Sequence, residues 1–245
     1  MTKNKIALIT GASRGIGRAI AIIFAKDGYD IIINYRSSEE EANTTQTLFR
    51  EANPSITTTL LQADVSSSEE VTTMFSRIPS LDVLINNAGW STQIAHGDLE
   101  SLSPEIYNRV MDTNFKGPYL CTREAIKIMT QGGSIINIAS LSGLTGRGSN
   151  VIYCASKAAL INLTTTMARA LGPRGIRVNC IAPGLVETEL TRSWRDMHTA
   201  AREQCALGRQ ATVEDIATAT LYLTKMQGTT GEVLKVDGGQ YLEQV

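Results

Sequence analysis

Short runs of aliphatic and β-branched residues alternate with longer helical stretches from one end of the chain to the other. The runs are Lys5–Thr10, Asp30–Tyr35, Thr57–Ala63, Leu81–Asn86, Ser134–Ala139, Ile176–Ile181 and Glu232–Val236. Most are continuously apolar, as strands covered on both faces are. Alternation over the whole length predicts an α/β fold, a parallel seven-stranded sheet with helices on both faces. Right-handed crossovers make such a sheet doubly wound, the Rossmann type. Ligands bind it at the carboxyl ends of the strands. The residues just after each strand are therefore the candidates for function.

Composition narrows the function classes. The chain has 245 residues, 42% hydrophobic, with no linker or repeat, and reads as a single domain over residues 1–245. Lys plus Arg is 23 against 24 for Asp plus Glu, which excludes a broad basic face for nucleic acid. No run reaches the ~18 apolar residues of a membrane-spanning helix. The start, Met1-Thr2-Lys3-Asn4-Lys5, leads straight into the first strand rather than into a signal peptide. Cys121, Cys154, Cys180 and Cys205 form no C-x-x-C pair, and His96 and His198 lie far apart. This predicts neither a disulfide scaffold nor a metal site, and a reducing, cytoplasmic compartment.

Helix starts are marked in several places. Ser37-Ser38-Glu39-Glu40 and Ser67-Ser68-Glu69-Glu70 both fit a capping box. Ser103-Pro104-Glu105 offers a cap, a proline without an N–H and an anion at the positive helix end. Gly28 fits a left-handed stop for the first helix.

The first strand runs into Thr10-Gly11-Ala12-Ser13-Arg14-Gly15-Ile16-Gly17. Three glycines leave room for a tight turn and for a diphosphate at the start of the following helix. The spacing is G-x-x-x-G-x-G rather than G-x-G-x-x-G, and an ordinary strand–helix turn is the alternative.

This segment resembles the cofactor signature of the short-chain dehydrogenase/reductase family. The resemblance continues in Asp64-Val65, Asn86-Asn87-Ala88-Gly89, Asn114, Ser140, Tyr153-Cys-Ala-Ser-Lys157, Pro183-Gly184-Leu-Val186-Glu-Thr188 and Val236-Asp-Gly-Gly239. It covers nearly the whole chain, and within the family it is most similar to the 3-oxoacyl-acyl-carrier-protein reductases. The resemblance implies a dinucleotide held by Gly11, Ser13, Arg14, Gly15, Ile16 and Gly17. It also implies that Asp64 and Val65 contact the adenine, and that Asn87, Ala88 and Gly89 line the ribose. The loop Pro183, Gly184, Val186 and Thr188 would hold the nicotinamide carboxamide. Asp64 fits a helix cap equally well.

The second strand ends in Tyr35-Arg36-Ser37. An acid there would bind the ribose 2′-OH of NAD and repel a 2′-phosphate. Tyr35 stands in its place. Arg36 with Arg14, and Ser37 with its hydroxyl, can grip a phosphate instead. The expected cofactor is NADP(H); the alternative is that Arg36 merely solvates a helix start.

Tyr153 and Lys157 share a helix face at i and i+4. With Ser140 at the end of the fifth strand, a hydroxyl, a phenol and an ammonium meet at one sheet edge. In reduction Tyr153 donates a proton to the carbonyl oxygen, and Ser140 orients that oxygen. A nearby ammonium favours the phenolate, which gives Lys157 the role of tuning Tyr153 and holding the nicotinamide ribose. By resemblance Asn114 belongs to a proton relay and is the fourth catalytic residue; Ser142 is the rival of Ser140.

Residues 187–208 read as a helical lid, in which Leu190, Trp194 and Met197 cover an acyl chain or simply pack the lid itself. The resemblance implies reduction of a 3-oxoacyl thioester in fatty acid synthesis. The alternatives are a sugar or secondary-alcohol dehydrogenase and a carbonyl reductase of secondary metabolism. It also implies a homotetramer built on helices at about Ser101–Thr130 and Val151–Leu171. An acyl carrier protein is the expected partner. Only Arg174 matches one of the two basic docking positions; Met129-Thr130-Gln131-Gly132-Gly133 carries no base at the other.

Overall fold

The computed structural model describes residues 4–242; Met1–Lys3, read above as leading into the first strand, and Glu243–Val245 lie outside the described residues. The described residues form seven strands: β1 (Ile6–Ile9), β2 (Asp30–Tyr35), β3 (Thr58–Gln62), β4 (Leu81–Asn86), β5 (Met129–Ile138), β6 (Arg177–Pro183) and β7 (Val233–Val236). They form one parallel sheet in the order β3-β2-β1-β4-β5-β6-β7. The chain winds outward from β1 to β3, then crosses back to β4. The strand order therefore reverses between β1 and β4, which opens a crevice at their carboxyl ends.

The continuous apolar runs are explained by the two covers. Ile9, Ile33, Ile85 and Ile138 pack on α1 (Gly15–Lys26), α2 (Glu39–Ala52) and α9 (Val213–Lys225). The intervening residues Leu8, Ile32, Leu84 and Ile135 face the opposite side. There they meet α3 (Ser68–Ser76), α5 (Gly117–Ile128) and α7 (Val151–Leu171). The inner strands thus bury both of their faces, where a polar alternation would be costly, while the edge strands β3 and β7 are only partly covered.

Strand β5 starts earlier than the apolar run suggests. Leu81 pairs with Met129 and Val83 with Ser134, so a bulge takes up the residues between them. Thr130-Gln131-Gly132-Gly133 is thus a bulged strand start rather than a free loop. Its Gly132 N–H donates to the Gly175 carbonyl at 3.0 Å.

The helix starts divide. Ser103 caps α4 (Pro104–Met111) by accepting from the Ile106 N–H at 3.4 Å, with Pro104 in the first turn. Ser67 caps α3, but Glu70 does not reach back to it; Glu70 accepts from the Asp64 N–H at 2.9 Å instead. The capping box expected at Ser37–Glu40 is absent: Ser38 occupies the cap position and its hydroxyl makes no cap bond. A complete box forms at Thr212 and Asp215, where α9 begins. Gly28, at φ 88°, stops α1 as expected.

The helix expected over Ser101–Thr130 is interrupted. Between α4 and α5 the chain makes a π-helical turn, Asp112–Lys116, with Asn114 at its centre. The four cysteines are free and buried, and burial pushes the thiols of Cys121 and Cys180 up to about 12. Among the described residues no helix is long and apolar enough to cross a membrane. Nor do three or more His, Cys, Asp or Glu among them come together as a metal-binding group.

Candidate active site

A cleft of about 980 Å³ opens along the carboxyl ends of the strands. Its lining includes every residue the sequence assigned to a dinucleotide and three of the four assigned to catalysis; Asn114 lies behind the wall.

The glycine turn is built for close approach. A Cβ on Gly17 would stand 2.5 Å from both the Asn87 Nδ2 and the Gly11 carbonyl oxygen. Asn87 spends its amide here, donating to the carbonyls of Thr10 at 2.9 Å and Gly11 at 3.2 Å. It steadies the turn beside the ribose position. Arg18, which carries no motif signal, donates to the Ser13 carbonyl at 2.6 Å, and Thr45 donates to the same oxygen at 2.9 Å.

Helix α1 has no side-chain cap and no acid in its first turn. Its first N–H groups thus face the cleft as donors for an anion, beside the positive end of the helix dipole. At Gly89 a Cβ would lie 3.7 Å from Lys157 Nζ and 3.4 Å from Asn114 Oδ1. Larger side chains there would fill the cradle. Volume and donor set fit a dinucleotide.

At the outer end Tyr35, Arg36, Ser37 and Asp64 line the cleft. Arg14 faces Glu41 at 4.0 Å, and Arg36 faces Asp64 at 3.7 Å. Asp64 does not cap α3. It accepts from the Ser66 N–H at 2.9 Å and the Ser66 hydroxyl at 2.6 Å. Burial raises its carboxyl, but those bonds and the Arg36 guanidinium outweigh burial and hold it below the usual range.

At the inner end α7 carries Tyr153 and Lys157 toward Ser140. Asn150 begins this helix, accepting from the Tyr153 N–H at 2.7 Å. Asn150 also donates to the Thr92 carbonyl at 2.8 Å. The cap was not marked in the sequence because Asn150 follows Gly148-Ser149 without the spaced acid of a capping box. Ser140 Oγ accepts from the Ser142 N–H at 3.1 Å, so the rival serine supports Ser140 through its backbone.

Burial pushes the Tyr153 phenol above its usual value, and a hydrogen bond with Ser140 works against that rise. This differs from the sequence expectation of an ammonium that favours the phenolate. Lys157 Nζ stands over the Tyr153 ring, 5.8 Å from its centroid, and donates to the Ile138 carbonyl at 2.9 Å. It faces the ring and the sheet rather than competing with burial at the phenol. The ammonium itself is buried, which lowers it to about 8.

Asn114 is fully buried and makes no hydrogen bond to Lys157. Its Oδ1 accepts from the Trp90 N–H at 2.8 Å, and its Nδ2 donates to the Trp90 carbonyl at 2.9 Å and to Ser156 Oγ at 3.2 Å. The π-turn therefore clamps the segment that follows Gly89.

Opposite lies the segment after β6. The Thr188 N–H donates to Thr191 Oγ1 at 3.1 Å, and Thr191 Oγ1 donates to the Val186 carbonyl at 2.7 Å. Helix α8 (Arg195–Gln204) follows, and Leu190, Trp194 and Met197 all line the cleft. Sequence reasoning missed Trp90, Arg109, Arg147 and Tyr241, which also line it. Trp90 follows Gly89 directly, so its position beside the ribose motif was a usable signal.

The family described as enoyl-(acyl carrier protein) reductase matches residues 11–240. A 3-oxoacyl-acyl-carrier-protein reductase of Staphylococcus epidermidis is 36% identical over 248 residues, covering 98% of this chain and all of that protein. A short-chain dehydrogenase of Burkholderia cenocepacia, crystallised with NADP, is 30% identical with a TM-score of 0.89, over 96% of this chain and 97% of that one. The angucycline C-6 ketoreductase LanV, with bound NADP, is 29% identical with a TM-score of 0.88, over 96% and 95%.

Proposed function

The chain belongs to the short-chain dehydrogenase/reductase family as an NADP-dependent oxidoreductase, and on that premise we propose that it reduces 3-oxoacyl thioesters to 3-hydroxyacyl thioesters in fatty acid synthesis. The observation that carries the reading is the meeting of Ser140, Tyr153 and Lys157 in a cleft that Leu190, Trp194 and Met197 also line.

A bound nicotinamide supplies the hydride that reaches the carbonyl carbon. Negative charge then grows on the carbonyl oxygen. Ser140 donates a hydrogen bond to that oxygen and fixes its direction. Tyr153 gives it a proton. Burial keeps the phenol protonated at neutral pH, which suits a proton donor. Lys157, close to Gly89, would hold the nicotinamide ribose. Asn114 acts by holding Trp90, with both its amide N–H groups engaged; the proton relay that the resemblance implies would run through water past Asn114. Residues 187–208 close over the acyl chain as a lid.

The raised phenol sets the pH dependence. Reduction needs the protonated form and stays flat through neutral pH, falling only in the alkaline range. The reverse oxidation needs the phenolate and rises with pH over that range. Initial rates in both directions from pH 6 to 10 check this. An oxidation rate that is flat across the range would remove Tyr153 as the titrating group.

Cofactor choice is tested directly. The Tyr35→Asp, Arg36→Ala double variant should lose NADPH affinity about tenfold and gain NADH affinity, since charge pairing with a phosphate is worth ~2–5 kcal/mol and part of it is already spent on Asp64. Equal use of both cofactors by the unaltered protein would contradict the assignment.

The substrate is tested by comparing a 3-oxoacyl group on an acyl carrier protein with the same group as a small thioester. Higher kcat/KM on the carrier supports the reading. Arg174 is the basic docking candidate, but its guanidinium also donates to the Ile126 carbonyl at 2.6 Å. An Arg174→Gln variant therefore needs a melting control. A second reading, a free-ketone reductase of secondary metabolism, is favoured by the absence of any base in the Gln131 segment beside Arg174. Equal rates on carrier and small thioester, with faster turnover of polycyclic ketones, would select it. A cytoplasmic homotetramer fits either reading.

A further inference from the structure

The two arginines read from the sequence bring less charge to the adenylyl end of the cleft than their number implies. Arg14 faces Glu41 and Arg36 faces Asp64, so each guanidinium already has a carboxylate neighbour. A third arginine, Arg109 of α4, also lines the cleft, near enough to Arg36 and Asp64 for their charges to act on it. Among the described residues it forms no ion pair.

Arg109 is seated rather than free. Its guanidinium carbon lies over the Trp90 ring, 4.0 Å from the centroid. Stacking of this kind fixes the plane of a side chain that is otherwise costly to order. Trp90 is fixed in turn, its backbone N–H and carbonyl both bonded to the buried Asn114 amide. A rigid line of contacts runs from the π-turn through Trp90 to Arg109. The charged groups that influence Arg109 are those of the phosphate end. Burial and repulsion from Arg36 lower its proton affinity, and Asp64 raises it.

We propose that Arg109 is a specificity determinant for the phosphorylated dinucleotide. It is the guanidinium near this end that no carboxylate pairs, and so the one left to meet a 2′-phosphate. NADPH differs from NADH by a 2′-phosphate carrying about −1.5 to −2 charges. An unpaired cation adds in full to discrimination between the two, whereas Arg14 and Arg36 already share part of their charge with Glu41 and Asp64. The indole makes the cation effective, because a mobile arginine would swing into solvent and be screened. The proposal concerns the cofactor end alone and is read by binding, so a different carbonyl substrate would leave it untouched.

The test is titration of the protein with NADPH and NADH, followed by nucleotide fluorescence at low and physiological salt. Arg109→Gln should raise the NADPH Kd about tenfold and the NADH Kd less than about threefold, with a shallower salt dependence for NADPH. Arg109→Lys should recover most of the NADPH affinity, because it restores the charge. Trp90→Leu should give an intermediate loss, with circular dichroism confirming the fold. Equal losses for both nucleotides would make Arg109 a packing residue and overturn the proposal. So would an NADPH Kd that does not move, or a Lys variant no better than Gln.

Discussion

Replacing Tyr153 by phenylalanine is expected to lower the rate of carbonyl reduction by about 10³-fold, within the ~10²–10⁴ that a positioned proton donor contributes. The change removes one oxygen from a half-buried phenol that lines the cleft and leaves the ring beside Lys157. NADPH affinity should stay within about threefold if, as proposed, the glycine turn and Lys157 hold the dinucleotide and the phenol acts on the substrate oxygen. Ser140→Ala should cost about 10²-fold with the same small effect on binding, since it removes an orienting hydrogen bond and not the proton source. Steady-state rates and fluorescence titration of the two variants separate the roles. A Tyr153→Phe enzyme that keeps more than about a tenth of the activity would mean that another group supplies the proton.

Much of this site was legible because its parts follow strands. Ile9, Asn86 and Ile138 end β1, β4 and β5, and the chemistry starts within a few residues of each. Apolar runs marked those ends well, since both sheet faces demand them. The start of β5 was hidden because its bulge is made of Thr130-Gln131-Gly132-Gly133, residues that read as a loop. The π-turn was hidden for another reason. Asn114 is tolerable inside a helix by propensity, and only the tertiary demand for its amide at Trp90 explains the wider turn. Arg109 carried no signal at all. It sits far from the glycine turn in sequence and reaches the cleft only because Trp90 offers it a surface.

The burial of the phenol was hidden for the same reason. The i, i+4 spacing put Lys157 beside Tyr153 correctly, but burial cannot be read from spacing. Burial decides both titrations, raising Tyr153 and lowering Lys157.

Lys157 should accordingly be a residue that the fold carries at a cost. Burial takes the ammonium from 10.5 to about 8. At ~1.4 kcal/mol for each tenfold change in proton affinity, holding the charge at neutral pH costs about 3 kcal/mol. The folded affinity is the lower one, so the penalty is fully present below about pH 8. As pH rises from there toward 10.5 the folded protein sheds the proton that the unfolded chain still holds, and the penalty fades. Lys157→Met removes the charge while filling similar space. It also forfeits the bond to the Ile138 carbonyl, worth ~1 kcal/mol, which leaves a net gain of about 2 kcal/mol at pH 7. For a chain of this length that corresponds to a Tm increase of about 4–8 °C. The same variant should be inactive, because the nicotinamide ribose loses its holder. Thermal melts at pH 7 and pH 10 check the argument: the gain should be clear at the first and largely gone at the second. A variant less stable than the unaltered protein at pH 7, or a gain that persists undiminished at pH 10, would show that the ammonium is not paying for its position with the stability of the fold.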